Sequence, residues 1–139
     1  MAQKTAYGIA LLFLAILTPE DIRERRISVS RLLLLAISGF AFRLAVSSFS
    51  GCEMIGCLIT GGVLILLAVL TKEQIGFGDG IAVAVLGLWT GGWFTFITVC
   101  IALLLSGICG CLFWALHKRE TVPFMPFLLI GMEVSLLYA

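Results

Sequence analysis

Ile75-Gly76-Phe77-Gly78-Asp79-Gly80 sets a single carboxylate among three glycines, immediately ahead of an apolar run. The placement of that acid constrains the whole architecture, because a carboxylate entering a bilayer is costly unless it is paired, hydrated or used. A second acidic cluster, Glu20-Asp21, closes the first apolar run of the chain. Whether these two acids share one membrane face depends on how many times the chain crosses between them.

Composition makes crossing the expectation. Of 139 residues, 61% are hydrophobic and only 12% charged, against about 45–50% and about 25% in soluble domains. The chain is therefore read as an all-α polytopic membrane protein forming a single domain over 1–139, with no polar stretch long enough to fold separately. A net charge of +1 gives no reason to expect nucleic acid as a partner; the lipid bilayer is the expected surroundings. The five cysteines form no C-x-x-C pair and His117 is the only histidine, so no metal and no cofactor are expected. Most of those cysteines lie in apolar runs, where the residue packs as a small hydrophobe.

Six apolar runs follow in order: 6–18, 32–49, 54–70, 81–88, 94–116 and 122–139. The first is short for a hydrocarbon core that takes about 20 helical residues, so flanking residues must extend it. The fourth is shorter still, with Thr90-Gly91-Gly92 read as its turn. Arg43 interrupts the second run near its far end and is expected to snorkel outward. Trp89, Trp93 and Trp114 near span ends are read as interfacial anchors. The expected architecture is a six-transmembrane-helix bundle with a short fourth helix.

Charge orients the bundle. With both termini outside, the inner loops carry Arg23, Arg25, Arg26, Arg31, Lys72, Lys118 and Arg119, leaving only Lys4 and Arg43 outside. That bias obeys the positive-inside rule, and it puts Asp21 and Asp79 at the same depth on the inner face.

Two carboxylates at one depth can do acid–base work. When such groups sit close, like-charge repulsion keeps one protonated, so one can take a proton from water while the other donates to a carbonyl oxygen. Gly76, Gly78 and Gly80 permit unusual backbone angles and close passage of an extended peptide beside Asp79. Structural readings stand beside these. Asp21 is four residues before Arg25, a helical ion-pair spacing, and Asp79 suits the N-terminus of the next helix. Gly56, Gly61, Gly62, Gly87, Gly107 and Gly110 are read as sites of close helix approach. Pro123 and Pro126 sit where proline costs a helix least, either starting it or shaping a path for substrate.

Three stretches carry a resemblance. Gly76-Phe77-Gly78-Asp79 matches the GxGD signature of intramembrane aspartyl proteases. Asp21-Ile22-Arg23-Glu24-Arg25-Arg26-Ile27 resembles the segment after the first helix of short-form bacterial type IV prepilin peptidases. Val122-Pro123-Phe124-Met125-Pro126-Phe127-Leu128 is similar to that family's late P-F-x-P-F-L element. The resemblance implies that Asp21 and Asp79 are a catalytic pair facing the cytoplasm in the bacterial inner membrane. It also implies a substrate: a type IV prepilin or pseudopilin precursor, cut after a glycine just ahead of its hydrophobic helix.

Glu20, Glu24 and Glu73 are candidates to attract the precursor's basic leader, or else are solvated surface charge. The chain departs from the family's pattern at Ser28 and Val29, where proline and asparagine are usual, and at Ile81, where lysine is common. The paired C-x-x-C region of long members, associated with N-methylation, is not seen, so peptidase activity without methyltransferase activity is expected. Two other readings stay open. One is a GxGD protease acting on another membrane substrate such as a preflagellin; the other is a non-enzymatic small transporter or assembly factor using the aspartates for protons or cations.

Overall fold

A computed structural model describes residues 2–24, 29–46, 50–70, 77–116 and 122–138. Its elements are α1 (Ala2–Glu24), α2 (Val29–Ala45), α3 (Gly51–Leu70), α4 (Phe77–Thr90), α5 (Gly92–Ala115) and α6 (Met125–Tyr138). The chain is an all-α membrane bundle. Among the described residues three helices, α1, α3 and α5, are long and apolar enough to cross a bilayer, while α4 and α6 are shorter apolar helices.

The helix ends depart from the hydropathy reading for local reasons. The first run is lengthened at both ends, and α1 passes through Pro19, whose ring nitrogen has no hydrogen to give the preceding turn. One residue earlier, Thr18 Oγ1 donates back to the Leu14 carbonyl at 2.7 Å. Hydropathy places the fourth span at 81–88, yet α4 starts at Phe77, so Gly78, Asp79 and Gly80 are helical rather than part of a loop. Between α4 and α5 stands Gly91 alone, at φ 94°, a backbone angle that side chains disfavour.

Contacts fix the directions of the helices. Gly80 approaches Ile65, Gly61 approaches Ala84, and Gly87 approaches Cys57, so α3 and α4 run antiparallel. Thr98 donates to Ser135 at 3.2 Å and Gly131 sits against the Thr98 carbonyl and Ala102, so α5 and α6 are antiparallel too. Tyr7 stacks on Phe94 with ring centroids 4.7 Å apart, which joins the starts of α1 and α5. At the other end of α1, Asp21 meets Met125, the first residue of α6. Because α4 ends where α5 begins, its first turn points toward the end of the bundle that holds Asp21.

What holds the helices together is not apolar burial alone, since lipid tails solvate leucine as well as another helix does. Missing side chains let backbones approach. A Cβ on Gly61 would lie 2.6 Å from the Ala84 Cβ, and one on Gly131 only 2.7 Å from the Thr98 carbonyl oxygen. Buried hydroxyls add polar contacts: Thr90 and Thr95 meet at 2.8 Å, and each is also within donating distance of a carbonyl of its own turn, that of Leu86 and that of Gly91. The glycine expectation holds at Gly56, Gly61 and Gly87 but not everywhere, for Cβ atoms on Gly62, Gly107 and Gly110 would meet nothing within 4 Å.

Two outward-facing expectations are corrected. Trp89 is buried; its Nε1 donates to the Leu35 carbonyl at 3.2 Å and its ring covers Gly39 and stacks on Phe42. Trp93 and Trp114 remain exposed, as anchors would be. Arg43 turns inward rather than snorkelling. Its Nε donates to the Leu88 carbonyl at 2.8 Å and its Nη1 to Glu53 Oε2 at 3.0 Å. Leu88 lies in the last turn of α4, where carbonyls lack helical partners and a cation is favoured.

Candidate active site

Asp21 lies in the last turn of α1, the wrong end of its own helix dipole for a negative charge. Such a carboxylate calls for a donor from elsewhere, and the fold supplies one. Oδ2 of Asp21 accepts the backbone N–H of Met125 at 3.0 Å, in a buried contact spanning 104 positions of sequence. Met125 opens α6, so the acid sits at the positive end of a neighbouring helix.

Asp79 stands in the first turn of α4, where the dipole favours an acid, and it too is engaged by neighbouring groups. Both carboxylates are withdrawn from the surface, Asp21 at 7% exposure and Asp79 at 8%. Length explains the depth of Asp79. At 14 residues, α4 is about 21 Å long at 1.5 Å per residue, short of a hydrocarbon core of about 30 Å. Its far end is tied by Gly91 to the long α5, so its first turn stops inside the bundle. The packing of α1 on both α4 and α6 gathers the end of α1 and the starts of α4 and α6 at one end of the molecule.

The glycines around Asp79 serve packing as well as backbone freedom. A Cβ on Gly80 would lie 2.6 Å from Ile65 Cγ1 and 3.1 Å from the Ile65 nitrogen, so on that side the space is filled by α3. Gly78 is half-buried in the first turn. Gly76 and Glu73 lie outside the described residues, as does Arg25, the expected helical partner of Asp21. Pro123 precedes α6 and Pro126 is its second residue. Glu20 is ion-paired with Arg31 of α2, and Glu24 is exposed at the end of α1.

Arg23 and Arg31 share the end of the bundle that holds the two acids, whereas Lys4 and Arg43 lie toward the other. A cleft of about 500 Å³ opens at that other end, lined by Tyr7, Trp93, Phe94, Ser135 and their neighbours, without either aspartate. Among the described residues no group of three or more His, Cys, Asp or Glu side chains is gathered as a metal would need.

Sequence reasoning named both acids and missed what holds Asp21. The signal was present in Pro123-Phe124-Met125-Pro126, since a proline-marked helix start presents unpaired N–H groups. Sequence reasoning also missed the Arg43–Glu53 pair, formed across the α2–α3 connection.

An all-helical membrane bundle with two withdrawn carboxylates at one end defines a narrow class of protein, and comparison with known families agrees. The family model described as the type IV leader peptidase family matches residues 8–115. The chain belongs to the type IV leader peptidase family, and it is a membrane protease of that kind. The matched stretch includes Asp21 and Asp79 and ends before α6, so Pro123–Leu128 enters the site through its contact with Asp21. Comparison with curated proteins and with solved structures finds no match.

Proposed function

We propose that the chain is an aspartic endopeptidase that removes the basic leader from a type IV prepilin or pseudopilin precursor. The cut falls after a glycine just ahead of the precursor's hydrophobic helix. Asp21 and Asp79 are the catalytic pair, at the cytoplasmic face of the bacterial inner membrane, with both termini on the outer side. The observation that carries this reading is the burial of both acids at one end of the bundle, the end that also carries Arg23 and Arg31. Basic residues favour the cytoplasmic side, and a precursor's leader–helix junction lies at that depth.

The chemistry needs neither metal nor covalent intermediate. One carboxylate, ionised, takes a proton from water as the oxygen attacks the scissile carbonyl; the other gives its proton to the carbonyl oxygen. The tetrahedral diol then collapses: one hydroxyl returns its proton to the ionised carboxylate as the carbonyl re-forms, the C–N bond breaks, the leaving amine takes a proton from the other carboxyl, and the acid product departs. Each turnover thus passes protons between the two carboxyl groups and ends with the pair as it began. Glu24, exposed beside Asp21, is placed to attract a basic leader.

Replacing Asp21 or Asp79 with Asn, in membranes that hold a precursor with a basic leader, tests the assignment. Each folded variant is expected to leave the precursor at full length. Complete processing by either one overturns it.

A further inference from the structure

We propose that the backbone N–H of Met125 is the positioning group of Asp21, and that the turn 123–128 is built to aim it there. The inference rests on Asp21 being one of the reacting carboxylates, and it adds the part of the chain that orients it.

The first turn of a helix has N–H groups without helical partners, and here they are disposed of in a particular way. Pro126 has no N–H. Phe127 and Leu128 both donate to the Phe124 carbonyl, each at 3.1 Å. Among residues 125–128, that leaves the Met125 amide as the donor directed out of the helix, and it meets Asp21 Oδ2 at 3.0 Å. The turn cannot slide along α1, because Phe124 and Met125 are both core residues, at 8% and 0% exposure.

A carboxylate has about four acceptor positions. Giving one to an amide fixes the side chain's rotation while leaving others for a water. The amide thus acts through Asp21 and does not touch substrate. Pro126 contributes by what it lacks, since it adds no second unpaired N–H to this turn. The late proline–phenylalanine stretch, which falls beyond the family match, gains a chemical task in this way.

The test removes the N–H and little else. Met125→Pro deletes it at the first helical position, where proline is best tolerated, and the preceding Phe124 stands outside the helix as that substitution requires. An ester variant, with the α-hydroxy analogue of methionine at 125, deletes it while keeping the side chain. Cleavage of a synthetic precursor is followed in detergent, per folded molecule. Either variant is expected to lose about 10- to 100-fold in kcat, the range for one hydrogen bond to a charged group, with KM within about two-fold. Met125→Leu, which keeps the amide and nearly the volume, restores kcat. Wild-type kcat in the ester variant, with Asp21→Asn inactive, overturns the inference and leaves the peptidase reading standing. Activity in Asp21→Asn itself overturns both.

Discussion

Gly61 and Gly62 are adjacent in α3, chemically identical, and expected to respond to alanine with opposite sign. A Cβ on Gly61 would fall 2.6 Å from the Ala84 Cβ, 3.1 Å from its Cα and 3.3 Å from its nitrogen. Two of those atoms are backbone of α4, so no rotamer change relieves the clash and the two helices must separate. Overpacking of this kind costs about 1–3 kcal/mol. On Gly62 the same methyl meets nothing within 4 Å, and exchanging glycine for alanine inside a helix is worth about 0.5–1 kcal/mol in its favour. Both positions lie inside α3 and share that helix gain, so Gly61→Ala should lie below Gly62→Ala in unfolding free energy by the overpacking term alone, roughly 1–3 kcal/mol. Reversible unfolding in mixed micelles, followed by far-ultraviolet circular dichroism, measures that difference. Activity should follow, since Ala84 is carried on the helix that holds Asp79. Equal stability of the two variants, or a more stable Gly61→Ala, would refute the close α3–α4 contact on which the position of α4 depends.

Other side chains give sharper local tests. Arg43→Met removes the donor to Leu88 and the partner of Glu53, and should lower stability by about 1.5–3 kcal/mol, the range for a hydrogen bond to a charged group; micelle unfolding reads it. Trp89→Phe deletes the Nε1–Leu35 bond and part of the ring over Gly39, costing about 1 kcal/mol or more in the same assay. Glu20→Gln breaks a partly exposed ion pair with Arg31, so its effect on unfolding should stay under about 1 kcal/mol.

The number and order of the helices were legible because each apolar run is bounded by charge or glycine. From that count alone Asp21 and Asp79 fall at one end of the bundle, and the structure has them so. The ends of α1 and α4 were harder. Hydropathy falls at Pro19 and again at Gly76–Gly80, whereas a helix needs only satisfied hydrogen bonds and continues through both Pro19 and Asp79. Trp89 and Arg43 were misread for a shared reason. Amphipathic side chains near a span end can turn either way, and a partner decides which. Those partners, the Leu35 and Leu88 carbonyls, are backbone atoms that leave no mark in a sequence pattern. The Met125 amide differs, since Pro123 and Pro126 mark the helix start that presents it.

Thiol chemistry can report where the two acids stand relative to the bilayer and to each other. In a cysteine-free background, Asp21→Cys and Asp79→Cys are introduced singly and together, and the protein is kept in sealed inner-membrane vesicles of known orientation. A membrane-impermeant thiol reagent applied from the cytoplasmic side is expected to reach both single variants. In the double variant, oxidation or a short bifunctional reagent is expected to join the two positions. Labelling of the two cysteines from opposite sides, or a double variant that no short reagent can join, would contradict the account.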